Sequence, residues 1–142
     1  MRLNDTRLLG RLVRWRIPGL PPSLTFDEMF RSPPFLVLDQ EADDALVSGL
    51  VGRIWTLRRD YPELRDADEF RAWSTPGTAR VVFANWVQPL TSGGATLNSE
   101  TRVEAIGAQG RLGLAAVRPL VSAFHGLVGS EAIAAAVRFA EA

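Results

Sequence analysis

Arg111–Ala142, RLGLAAVRPLVSAFHGLVGSEAIAAAVRFAEA, decides the reading of this chain. Stepping at about 100° per residue, Val117, Leu120, Val121, Phe124, Leu127 and Val128 fall on one stripe, with Arg118 and Ser122 off it. This predicts a long C-terminal helix with more apolar surface than a lone helix keeps in water. Beyond Gly129 the apolar positions Ile133 and Val137 move to the far side. The helix therefore either turns its other face to the protein or breaks at Gly129-Ser130, where Ser130 is able to cap a second helix. Glu131 falls within the stripe, so it needs a partner or that break. Pro119 inside the helix predicts a kink. The stripe needs something to pack on, and the strands upstream supply it.

Working outward, Ala79–Val87 is apolar on both faces, which predicts a central strand covered on both sides. Ser92-Gly93-Gly94 turns the chain into Ala95–Ile106, where Leu97, Ser99, Thr101 and Val103 alternate with Asn98, Glu100, Arg102 and Glu104. Upstream, Phe35–Leu38, an acidic turn at Asp39–Asp44 and Ala45–Val51 read as a hairpin. After Gly52, Arg53–Leu57 reads as a third strand beyond a bend. A short helix is expected around Asp68–Trp73, with Phe70 and Trp73 together at i and i+3. At the start, Asn4 or Asp5 is placed to cap a helix carrying Leu8, Leu9, Leu12 and Val13 on one side, and Ile17-Pro18-Gly19 ends it. Thr25 and Glu28 form a capping box for a second short helix, stopped at Pro33-Pro34.

A chain of 142 residues, 46% hydrophobic and 23% charged, suits one domain, residues 1–142, with a single core. Net charge is zero, so no overall field favours nucleic acid, although Arg2, Arg7, Arg11, Arg14 and Arg16 face only Asp5 before Pro18. That basic first helix either lies on an anionic surface or packs on the core with its arginines in water. Without cysteine there is no disulfide framework, thiolate metal site or cysteine nucleophile. No apolar run approaches the ~18 residues of a membrane span, so stable membrane insertion is not expected and a cytoplasmic chain fits best.

The pieces Leu50-Val51-Gly52-Arg53-Ile54-Trp55, Phe70 with Pro76-Gly77, Asn85-Trp86, Ser99-Glu100-Thr101-Arg102-Val103 and Phe124-His125-Gly126-Leu127 ahead of Glu131 resemble, in that order, a bacterial branch of the START-related helix-grip superfamily (SRPBCC). That superfamily includes lipid-transfer, polyketide cyclase and pollen-allergen-type proteins. The resemblance covers most of the chain from about Leu8. It implies an α+β fold, a curved antiparallel sheet gripping the C-terminal helix, with a cavity between them for an apolar or amphipathic ligand. Two departures stand out. The strand usual in these proteins ahead of the first helix is not found from Met1 onward: either it is absent, which would leave a sheet edge for a second copy to cover, or the true start lies upstream of this Met; the first helix is the other surface through which a homodimer could form. His125 and Gly129-Ser130 stand where related sequences carry a Ser and two basic residues.

His125 is the only histidine, so a multi-histidine metal site is not expected, and no cofactor motif accompanies it. Ser122 lies one turn before it without a nucleophile elbow, and no catalytic residue is assigned. Glu100 and Arg102 share a strand face: they form either a solvated pair or, if that face looks inward, a place for a carboxylate or phosphate head group, with Glu131 as a further partner. Parity separates Phe83, Asn85 and Val87 from Val82, Ala84 and Trp86. The Phe83 and Asn85 side is expected to face the cavity, with Trp86 outside, because it joins an apolar wall to one orienting amide. The expected ligand-contacting residues are Trp55, Trp73, Phe83, Asn85, Arg102, Val117, Val121, Phe124 and Val128. The expected function is binding of a small lipid- or polyketide-like molecule. The alternatives are a cyclase or aromatase using the same cavity, with Arg53, Arg102, His125 and Glu131 as ionisable candidates, and a homo-oligomeric interaction domain with a collapsed cavity.

Overall fold

A computed structural model describes residues 2, 6, 8–17, 19–42, 44–56, 61–127, 130 and 133–141; within the helices, the side chains of Val121, Phe124, His125, Leu127, Ile133, Ala136 and Phe139 are outside that description. The element order is α1 (Leu9–Arg16), α2 (Phe26–Phe30), β1 (Leu36–Glu41), β2 (Ala45–Gly52), α3 (Ala67–Ala72), β3 (Thr78–Pro89), β4 (Ala95–Ile106), α4 (Gly107–Leu127) and α5 (Ile133–Glu141). The four strands form one antiparallel meander in the order β1-β2-β3-β4. The fold class is α+β, an antiparallel sheet followed by a C-terminal helix.

Both N-terminal helices are short and depend on their caps. The Thr6 hydroxyl accepts the Gly10 N–H at 2.9 Å at the head of α1, whereas the caps expected at Asn4 or Asp5 lie outside the described residues. The Thr25–Glu28 capping box of α2 is present as read from the sequence: each residue's side chain accepts the other's backbone N–H, at 3.1 and 2.9 Å. In α1, Leu9 and Val13 are buried, but Leu8 is 54% and Leu12 41% exposed, so only half of the expected stripe is covered.

β3 is an inner strand, paired with β2 and β4, as its two apolar faces require. One side of the sheet carries the core of Leu9, Val13, Ile17, Met29, Phe35, Leu50 and Val81 beneath α1 and α2. The other carries Val51, Leu64 and Phe70, packed by Leu36, Leu38, Trp73 and Val82 beneath α3. Gly49 is what lets α3 come so close, since a Cβ there would lie 2.7 Å from the Phe70 ring. Arg80 fastens α3 further: its guanidinium donates to the Arg71 carbonyl at 2.6 Å and pairs with Glu104 across the sheet.

Two expectations are corrected. The described part of the expected third strand, Arg53–Thr56, is a turn, in which the Arg53 carbonyl accepts the Thr56 N–H at 3.2 Å and hydroxyl at 3.0 Å. The β-rich composition loses because those local bonds and the arginine of α1 claim the carbonyls a neighbouring strand would need. The second is where the C-terminal helical region starts: α4 begins at Gly107, not Arg111, and runs to Leu127, with α5 from Ile133. Gly107 has φ 75°, which suits glycine at the corner from β4 into the helix. Pro119 lies inside α4 without ending it.

Candidate ligand cavity

A cavity of about 970 Å³ lies on the α1/α2 side of the sheet. Strand parity builds its floor. Leu46 and Leu50 of β2, Val81, Phe83 and Asn85 of β3, and Leu97, Ser99, Thr101 and Val103 of β4 all point into it. One wall is α1 and α2, through Leu9, Leu12, Val13, Phe26, Met29 and Phe30; facing them are Val117, Leu120 and Ala123 of α4.

Phe30, Phe35 and Phe83 form a mutually packed trio with ring centroids 5.1, 5.4 and 5.6 Å apart, two of the pairs edge-to-face. Beneath Phe83, its cross-strand neighbour Ser48 is fully buried, and the Ser48 hydroxyl has no hydrogen-bond partner among the described residues. The floor is mostly apolar, with Thr101 and, standing directly opposite each other on β3 and β4, Asn85 and Ser99 as its polar residues. That pair offers an amide and a hydroxyl to a ligand on a largely hydrocarbon floor.

The Arg53–Thr56 turn closes the wall between α1 and α4. The Arg16 guanidinium donates to the carbonyls of Thr56 at 2.6 Å, Ile54 at 2.9 Å and Arg53 at 3.2 Å, and lies 5.4 Å from the centre of the Tyr61 ring. Burial pushes the Tyr61 hydroxyl pKa above its usual value, with the Arg16 charge acting in the opposite direction. Planar geometry lets one guanidinium collect several carbonyls, which an ammonium does less well. The turn so held presents Trp55 to α4, where Gly113 and Gly110 leave room for its indole.

The residues expected from sequence divide into three groups. Trp55, Phe83, Asn85 and Val117 are brought together in the wall. Trp73 is not: it packs on the opposite face of the sheet, and its indole N–H donates to the Thr78 hydroxyl at 2.9 Å. Arg102 is also misplaced, because its parity sends it to the face away from the cavity, where it pairs with Glu100 at 2.6 Å and its side chain is 78% exposed. The side chains of Val121, Phe124 and His125, and residues Val128 and Glu131 altogether, lie outside the described residues. Phe83 and Asn85 line the cavity, but Trp86, expected outside, also borders it, beside Ala45 and without a break in the β3 register. That end of the sheet is open, with Val87 39% and Leu97 38% exposed, so both faces of the strand meet the rim. The stripe on α4 is only partly covered, since Leu120 remains 71% exposed beside the cavity.

Sequence reading missed Arg16, Tyr61 and the Asn85–Ser99 opposition. Arg16 looked like one of five solvated arginines, and only its place in the last turn of α1, ahead of a distant turn, distinguishes it. Among the described residues no group of three or more His, Cys, Asp or Glu side chains is arranged to hold a metal. No helix is long and apolar enough to cross a membrane among the described residues. No family model, curated protein or solved structure matches this chain.

Proposed function

We propose that this protein binds a small hydrophobic or amphipathic molecule, of lipid or polyketide character, in the cavity between the sheet and α4. The observation that carries the reading is a cavity of about 970 Å³ with a mostly apolar lining, on whose floor Asn85 and Ser99 stand opposite each other. Its size suits a ligand of a few tens of heavy atoms, and its composition suits an apolar body with one hydrogen-bonding group. The order of two short helices, an antiparallel meander and a long final helix supports a helix-grip arrangement, the architecture implied by the resemblance. The ligand's apolar body rests on Phe83, Trp55 and Val117, and its polar end reaches Asn85.

Native mass spectrometry of protein purified from cells, followed by organic extraction, tests this directly. A bound mass lost on extraction, together with saturable binding of a long-chain fatty acid or an anilinonaphthalene sulfonate probe that Asn85→Leu weakens, is the expected result. Protein that carries no such mass and binds neither probe saturably rules the reading out.

A further inference from the structure

We propose that β4 is a self-pairing edge, and that two copies of this chain join antiparallel through β4, centred on Thr101, into one continuous sheet. Among the described residues β4 pairs only with β3, so the other edge of a twelve-residue strand has no strand beside it. The hydrogen-bonding direction of that edge follows from β3. The Val87 N–H donates to the Asp44 carbonyl, toward β2, at 2.8 Å, so the odd-numbered β3 residues face β2 and the even-numbered ones face β4. Through the β3–β4 register, Trp86↔Asn98, Ala84↔Glu100 and Val82↔Arg102 face each other. The main-chain groups of Leu97, Ser99, Thr101, Val103 and Ala105 therefore point to the open edge.

A second β4 bonds to those groups only in registers that oppose odd residues to odd ones. Charge then selects among them. Centring the pair on Thr101 places Glu100 opposite Arg102 of the second copy, twice by symmetry, and matches Thr96 through Ile106 end to end. Glu100 and Arg102 are already paired within the strand, so the two copies would form an alternating four-charge cluster. Centring on Glu100 or on Arg102 sets like charges face to face. Centring on Ser99 creates no Glu–Arg opposition. Centring on Val103 opposes Arg102 to Glu104, which is already bonded to Arg80, and shortens the overlap to Glu100–Ile106. No proline interrupts Ala95–Ile106, so nothing in the backbone prevents pairing. The inward row of Leu97, Ser99, Thr101 and Val103 would continue the cavity floor from one copy to the next.

The chain has no cysteine, so a single introduced thiol reports the register. Directly opposed hydrogen-bonded residues have Cα atoms about 5.5 Å apart, within reach of a disulfide. Thr101→Cys is expected to give a disulfide-linked dimer on mild oxidation, whereas Ser99→Cys, about 14 Å from its own copy in this register, does not. By sedimentation the wild type is expected to be a dimer. Glu100→Arg or Arg102→Glu alone should weaken it by roughly tenfold, and the double exchange Glu100→Arg/Arg102→Glu should restore it. The wild-type measurement needs no variant to fold. A monomer at high concentration overturns the proposal, as does a Thr101→Cys chain that stays unlinked, whether because its thiol is open to reagents or because another segment covers the edge. A dimer indifferent to both single reversals, or crosslinked through Ser99→Cys instead, overturns it equally.

Discussion

The indole of Trp55 lies flat against Gly113: a methyl group at that glycine would sit 2.4 Å from the ring. Gly110, one turn earlier, faces the backbone, with a Cβ 2.9 Å from the Thr78 carbonyl, whereas a Cβ at Gly126 has nothing within 4 Å among the described residues. Three glycines of one helix thus have three different surroundings. Alanine at Gly126 should stabilise by up to about 1 kcal/mol through helix propensity alone. At Gly113 the same gain is outweighed by overpacking of about 1–3 kcal/mol unless Trp55 leaves its place. Gly110→Ala should cost at least as much, because a main-chain carbonyl yields less readily than a ring. Urea unfolding of the three variants, with tryptophan emission as a reporter, checks the order.

Arg16 ties the end of α1 to the turn that carries Trp55. Replacing it with Lys removes the planar fork that reaches three carbonyls and should lower stability by about 1–3 kcal/mol, with Arg16→Ala at the upper end. By contrast, Arg14→Ala in the same helical turn is exposed and should shift stability by less than about 0.5 kcal/mol. Equal effects of the two alanine substitutions would show that the carbonyl contacts carry little energy.

How far the sequence reveals this arrangement depends on the kind of interaction. The β3–β4 hairpin was legible because alternation along Ala95–Ile106 and the Ser92-Gly93-Gly94 turn are local signals. The capping box at Thr25 and Glu28 was legible for the same reason. Arg53–Thr56 was misread because isoleucine and tryptophan favour strands, while the groups that hold it as a turn include Arg16, thirty-seven positions away from Arg53. Trp73 was assigned to the cavity on size alone. Which side of a sheet a flanking helix covers is set by tertiary packing, here the Gly49–Phe70 approach, and no pattern within Ala67–Ala72 encodes it.

Phe83 and Leu120 separate packing from binding. Phe83 belongs to the aromatic trio and is partly buried, so Phe83→Ala should cost about 2–4 kcal/mol, below the full core value. Leu120 is 71% exposed, and Leu120→Asp should leave stability within about 0.5 kcal/mol. If the cavity takes an apolar ligand, that same substitution places a charge at its wall and should weaken fatty-acid binding several-fold. Calorimetric titration alongside thermal unfolding distinguishes the two effects.

Glu28 makes the stability of α2 sensitive to acid. Hydrogen bonds from the Thr25 backbone and hydroxyl to its carboxylate, the backbone bond first, hold the pKa below its usual value of 4.5, despite small opposing effects of desolvation and Asp27. Because the folded pKa is the lower one, the unfolded chain binds the proton first as pH falls. The stabilising contribution is thus complete above the ordinary carboxylate range and disappears as pH drops through the folded value. Glu69 follows the same rule through the Arg65 backbone and side chain. Glu28→Gln keeps an acceptor for the Thr25 N–H but cannot titrate, so its unfolding curves should lose part of the wild type's decline as pH falls through and below the ordinary carboxylate range. Parallel declines in the two proteins would assign the acid sensitivity to other groups.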